Sequence, residues 1–181
     1  IAQAGYMLIG VAAVSGLGFI STVMYIMAYV ITNLTAFGII SEVSREVGSD
    51  DVEAFAGLSR RSPSLALAML VAFLSLAGIP PFAGFAAKLF LFSSAVGMMQ
   101  YPWLFTLAVF GVLNAIIALY YYLVVMKVVY LGRSENDSEP LPVVKSTRTA
   151  VLLYAAGIIV LGVMISPWFS AAESAIQSMF N

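Results

Sequence analysis

The chain has 181 residues, 62% of them hydrophobic and 9% charged, with a formal net charge of −1 and a mean hydropathy of +1.01. Soluble domains carry roughly 25% charged residues, so composition excludes an ordinary water-soluble domain and implies a polytopic α-helical membrane protein. Cys and His are absent, which removes thiolate and imidazole metal ligands, haem attachment, iron–sulfur ligation and disulfides; the balanced charge leaves no footprint for nucleic acid, and no Gly-rich phosphate loop is present.

The sequence opens on IAQAGYMLIG, with neither an initiator Met nor a basic leader. It reads as a stretch entered partway through a longer protein, not as a signal peptide. About five membrane segments follow in chain order. The first, 2–14, is short enough to be the remainder of a longer helix. The second spans 17–44, the third 64–98 with an interruption near 78–84, the fourth 102–131 and the fifth 149–166. Pro63, Pro102 and Pro167 stand at segment edges, where a missing N–H costs little. Only a few residues join the third and fourth segments, so these are antiparallel neighbours. The fold class is all-α, a transmembrane helix bundle with one discontinuous helix, and 1–181 forms part of a single membrane domain.

Two polar stretches, 45–63 and 132–148, read as solvated loops. In the first, Asp50 followed by Glu53 resembles a capping box opening a short surface helix. Two crossings separate the loops, so they share one side. That side holds Arg45, Arg60, Arg61, Arg133, Lys145 and Arg148, and the other has no Lys or Arg. The positive-inside rule then places both loops in the cytoplasm, or its equivalent, and the C-terminus outside. In the tail, 167–181, Trp168, Phe169, Ala172, Ile176, Met179 and Phe180 recur at helical spacing opposite Ser170, Glu173, Ser174 and Gln177. This pattern suits an amphipathic helix lying in the membrane interface.

The third segment carries the strongest functional signal. In SLAGIPPFAGFAAKLFLF, Gly78, Pro80, Pro81 and Gly84 fall near the middle of an otherwise apolar run. Proline lacks an N–H and blocks pairing with the preceding turn. Lipid offers no partner for a carbonyl freed in this way, so the break calls for protein, water or an ion. Lys88 follows one turn after Gly84 and ten residues before Met98, about 15 Å at 1.5 Å per residue. Its stem is too short to reach the interface. The charge is therefore expected to face a wet or paired interior. Removal from water disfavours a charged amine, so a lysine held there is suited to exchanging a proton. Static pairing of Lys88 is the structural alternative.

The other polar residues within the segments have plainer explanations. Lys127 lies near a helix end, where snorkelling accounts for it. Asn114 suits either an interhelical hydrogen bond or a place in a hydrated path. Tyr120, Tyr121 and Tyr122 face different sides of a helix, as packing and interface anchoring require. Glu42 and Glu46 lie at the end of the second segment, and no pair of carboxylates falls within a crossing.

GLSRRSPSLALAMLVAFLSLAGIPPFAGFAAKLFLF, together with IAQAGYMLIG and IIALYYYLVVMKVVY, resembles the antiporter-like, proton-translocating subunits of respiratory complex I. The likeness is greatest to the subunit N type, which has mitochondrial and chloroplast NDH counterparts. It covers essentially the whole chain but only the C-terminal part of the family's larger fold of about 14 helices. It implies proton pumping coupled to quinone reduction, with Lys88 as a proton relay and Gly78, Pro80, Pro81 and Gly84 as the break of a discontinuous helix. FMN, iron–sulfur clusters and quinone would then belong to other subunits, with no cofactor in this chain. Its partners would be the sister membrane subunits and the lipid bilayer, in a bacterial plasma membrane or an organellar energy-transducing one. The GIPP..GF..K core is shared with Mrp-type Na⁺/H⁺ antiporters and membrane-bound hydrogenases, which remain alternatives, as does a purely structural membrane subunit. Relatives often carry a basic residue after YYYL, where this chain has Val124.

Overall fold

A computed structural model describes residues 2–98, 100–134, 137 and 139–180, leaving out the side chains of Met179 and Phe180. The helices are α1 (Ala2–Ala12), α2 (Gly16–Val47), α3 (Leu58–Arg61), α4 (Pro63–Ala77), α5 (Ala83–Val96), α6 (Pro102–Leu131), α7 (Lys145–Val163) and α8 (Ile165–Phe180), with a single 3₁₀ turn at Val52–Phe55. No strand occurs among the described residues.

Local sequence sets the helix ends. Ser15 caps α2 by accepting the Gly18 N–H at 3.0 Å. Pro63 and Pro102 open α4 and α6 in the first turn, where an N–H has no helical partner. Helices α2, α6 and α7 are each long and apolar enough to cross a membrane. With 15 and 14 residues, α4 and α5 are each too short for an apolar core of about 30 Å, so only the tandem 63–96 can cross.

Several ends differ from the sequence reading. The fifth segment starts at Lys145, because the charges that suggested a loop form the first turn of α7. The tail helix starts at Ile165, two residues before Pro167, whose missing N–H falls in an unpaired first turn. Arg45 and Glu46 belong to the last turns of α2. The expected capping box at Asp50 and Glu53 does not form. Asp51 instead precedes the 3₁₀ turn without a side-chain cap, and its carboxylate accepts from the Ser49 hydroxyl at 3.1 Å.

Helix α2 is the centre of the bundle, packed against α1, α4, α5, α7 and α8. Helix α6 lies to one side on α1, α4 and α5, and its outer face exposes Phe110, Ile116, Ile117 and Tyr120. At one end the two polar stretches meet. Arg60 pairs with Asp137 at 2.6 Å and also donates to the Gly132 carbonyl. The Leu141 N–H reaches the Arg61 carbonyl at 3.1 Å, and the Val144 N–H reaches Glu42 at 2.8 Å. The remainder of this loop at Glu135, Asn136 and Ser138 lies outside the described residues. The Ser134 backbone N–H, with Arg60 adding to it, holds the Asp137 carboxyl below the ordinary carboxylate range. This tie is therefore present above the ordinary carboxylate pKa and lost as pH falls through the lowered one. At the opposite end α8 covers the start of α2, where Ala172 joins Ile20 and Met24, and Phe169 packs on Phe90 of α5 with ring centroids 5.4 Å apart.

Cys is absent from the chain, so in a full-length protein freed of any other cysteine, single-Cys labelling of intact cells or inverted vesicles reads this arrangement directly. Asp50→Cys and Glu139→Cys should react from the cytoplasmic side and Gln177→Cys from the outside. Labelling of Asp50→Cys and Gln177→Cys from one and the same side would contradict it.

Candidate functional site

The break between α4 and α5 follows from four residues. Gly78 stands in the left-handed region at φ 85°, where glycine carries no Cβ penalty. Its N–H turns back to the carbonyls of Leu74 and Ser75 at 3.1 and 3.0 Å, and the Ile79 N–H reaches Leu74 at 3.0 Å. The chain then passes through Ile79, the cis Pro80–Pro81 peptide and Phe82 before α5 begins. In an unbroken helix the residues at 80 and 81 would donate to the carbonyls of Leu76 and Ala77. As prolines they have no N–H to give.

Lys88 takes up one of these carbonyls. From the second turn of α5 it extends back across the break, and its Nζ donates to the Leu76 carbonyl at 2.7 Å. The residue is only 4% exposed. Its ammonium sits at the C-terminal end of α4, the negative end of the helix dipole, where a cation is favoured. It also stands 4.8 Å from the centroid of the Tyr6 ring of α1. Among the described residues Lys88 makes no ion pair with a carboxylate.

Two close approaches brace the break. A Cβ on Gly84 would lie 1.9 Å from the Ser75 carbonyl, so only glycine lets α5 start this near α4. The Gly84 N–H donates to Ser75 Oγ at 3.1 Å, and Ser75 Oγ lies 3.3 Å from Thr32 Oγ1 of α2. The one hydroxyl hydrogen of Thr32 goes to the Ala28 carbonyl at 2.6 Å, so Ser75 is the donor to Thr32. On the other side α7 presses Gly162 against the connector, where a Cβ would stand 2.0 Å from the Pro81 carbonyl. The break is thereby fixed to α2 and α7.

A band of polar side chains lies beside the lysine. Asn114 Nδ2 of α6 donates to the Tyr6 hydroxyl at 3.0 Å. The Tyr25 hydroxyl donates to Gln3, whose amide reaches the Tyr122 hydroxyl at 3.3 Å. A recess of about 10 Å³ among Gln3, Tyr25, Thr32, Ser75 and Leu76 is about the size of one water probe. Leu76 also borders a groove of about 280 Å³ that includes Gln3, Asn33 and Tyr122. Lys88 itself opens toward a mostly apolar groove of about 270 Å³ between α5 and α6.

The structure brings Gly78 and Lys88 into contact, since a Cβ on Gly78 would meet the lysine stem at 2.9 Å. Pro80 acts through its missing donor and Pro81 through its carbonyl, while both side chains are exposed. Asn114 reaches Lys88 only by way of Tyr6. Lys127 is exposed, and Glu42 is engaged by Arg45 at 3.0 Å and by the Val144 N–H at the basic end. The sequence reading did not single out Tyr6, Gln3, Thr32, Ser75 or Gly162. Ser75 and Thr32 had a weak signal as polar residues inside apolar runs; Tyr6 and Gly162 had none. The assembled set places one amine among a carbonyl, an aromatic ring, hydroxyls and amides that orient it and one another. No nucleophile beside a base occurs in it.

Residues 1–118 match the family model described as NADH:quinone oxidoreductase/Mrp antiporter, transmembrane. The chain is 40% identical over 180 residues to NADH-quinone oxidoreductase subunit N of Moorella thermoacetica, covering 99% of this chain and 37% of that protein. It is 37% identical to subunit N of Heliobacterium modesticaldum, again across 99% of this chain and 37% of the relative. Among solved structures, a chain of respiratory complex I from Thermus thermophilus is similar at a TM-score of 0.77 and 30% identity, over 93% of this chain and 37% of that one. A chain of the Mrp complex from Dietzia is similar at a TM-score of 0.84 and 22% identity, over 96% of this chain and 40% of that one; this likeness concerns the fold alone. The chain thus spans well under half the length of these relatives.

The braced break makes a stability prediction for the full-length protein. Gly84→Ala should cost roughly 1–3 kcal/mol as an overpacking change. A Cβ on Gly5 would meet nothing within 4 Å, so Gly5→Ala should be neutral or stabilising by up to about 1 kcal/mol. Thermal or SDS unfolding of the purified variants measures both, and equal stabilities would contradict the close approach of α5 to Ser75.

Proposed function

The chain belongs to the NADH:quinone oxidoreductase/Mrp antiporter transmembrane family, and from that premise we propose that it is the C-terminal part of a proton-translocating, subunit N-type membrane subunit in which Lys88 relays a proton. The observation that carries this reading is the Lys88 ammonium, buried and hydrogen-bonded to a carbonyl that the helix break sets free. A permanently charged amine without a counter-ion is costly in hydrocarbon. An amine that can shed its proton avoids part of that cost, and this is the property a relay needs. When protonated, Lys88 rests on the Leu76 carbonyl at the negative end of α4. When it passes the proton on, the attraction to both weakens and the amine is free to turn.

In this reading the redox steps, with their flavin, iron–sulfur and quinone chemistry, belong to other subunits. They act on this chain by changing the charge or hydration near Lys88. The sister membrane subunits are its partners and a bacterial plasma membrane its location. The relatives at 37–40% identity carry the subunit N name, which supports this reading over the antiporter alternative.

Lys88→Ala should leave assembly intact and lower proton pumping about tenfold or more, as side-chain proton transfer typically contributes on the order of 10²–10⁴ in rate. Lys88→Arg should rescue poorly because guanidinium does not deprotonate. Pumping driven by quinone reduction in proteoliposomes is the measurement. Wild-type pumping by a fully assembled Lys88→Ala complex would leave a structural role only.

A further inference from the structure

We propose that Tyr6 is the positioning residue for Lys88, its ring face serving as the seat of the protonated amine. This rests on the relay reading of Lys88 and extends it to a group with no charge of its own. The ammonium has one hydrogen-bond acceptor in the Leu76 carbonyl at 2.7 Å. No carboxylate pairs with it among the described residues. Beside this carbonyl and the negative end of α4, the Tyr6 ring, 4.8 Å away at its centroid, adds negative potential at the amine. A ring quadrupole attracts an ammonium strongly where both are desolvated and has little attraction for a neutral amine. Tyr6 therefore holds the ammonium in place and has little grip on a neutral amine.

The ring is held for this task. Tyr6 is 1% exposed. Phe92, one helical turn after Lys88, meets it edge-on with centroids 5.9 Å apart and an interplanar angle of 81°. Tyr25 of α2 packs on it at 6.2 Å. Asn114 of α6 fixes the far end through the hydroxyl at 3.0 Å. Three helices thus hold one aromatic face in position beside the amine, and the intramembrane Asn114 acts on Lys88 through this ring.

The test separates electrostatics from packing. In the full-length assembled complex, Tyr6 is replaced by phenylalanine and then by mono-, di- and trifluorinated phenylalanine, which drain the ring face at nearly constant shape. Pumping relative to Tyr6→Phe should fall stepwise with each fluorine, reaching a loss of roughly 2- to 30-fold, the range that cation–π contacts span from exposed to desolvated sites. Pumping that is flat or rises across the series overturns the proposal. Lys88→Ala is measured beside it. Wild-type pumping in Lys88→Ala removes the relay reading itself, whereas a silent Lys88→Ala with a flat fluorine series removes only the seat.

Discussion

The hydrogen bond from Lys88 Nζ to the Leu76 carbonyl joins two groups that the membrane would otherwise penalise. A carbonyl without its helical donor finds no partner in lipid. An ammonium without water is more costly still. Pro80 creates the first by lacking an N–H at the position that would pair with Leu76, and Lys88 supplies the second from across the gap. Each offsets part of the cost of the other. Together they explain why a helix-breaking pair and a lysine share one apolar segment, and why the lysine must lie in the early turns of α5. Side chains tilt toward the N-terminus of their helix, so from there the stem points back to α4.

The surrounding structure keeps that distance fixed. Gly78 turns α4 out of its helix in a conformation that glycine accepts and that leaves room for the lysine stem. Ser75 ties α4 to both α5 and α2 through Gly84 and Thr32. Gly162 lets α7 support the connector from behind. Helix α1 contributes Tyr6, and α6 contributes Asn114. Helices α1, α2, α6 and α7 converge on a break between α4 and α5 that could otherwise be a flexible hinge. A site that must admit a proton from one neighbour and give it to another needs such fixed geometry, because proton transfer depends steeply on distance and alignment.

The sequence was informative wherever a residue's effect is local. Apolar runs marked the long helices, and proline and glycine marked the break that Lys88 follows. Charge bias placed the two polar loops together, and Arg60 with Asp137 and Arg61 with Leu141 now show the contacts between them. It was poor wherever the effect is a pairing between distant positions. Tyr6 with Lys88, Ser75 with Thr32 and Pro81 with Gly162 are separated by tens of residues, and nothing in their own surroundings announces the partner. Helix ends also misled where charge was taken for loop: Lys145 and Arg148 stand in the first turn of α7. The pattern at Asp50 and Glu53 failed because the chain there forms one 3₁₀ turn too short to need a reciprocal cap.

A lysine that gains and loses a proton needs somewhere for the proton to come from and go to. Among the described residues its polar neighbours are a carbonyl, an aromatic ring and, beyond these, amides and hydroxyls. Glu42 is committed to Arg45 and Val144 at the basic end of α2. On the relay reading, the exchanging partner would lie in the rest of the protein or in an adjoining subunit. The most direct measurement is a structure of the complete assembly with ordered water resolved. The relay account predicts an unbroken path of polar side chains and water from Lys88 Nζ to an ionisable group outside this chain. A Lys88 sealed on all sides by apolar side chains, with no such group in reach, would contradict it.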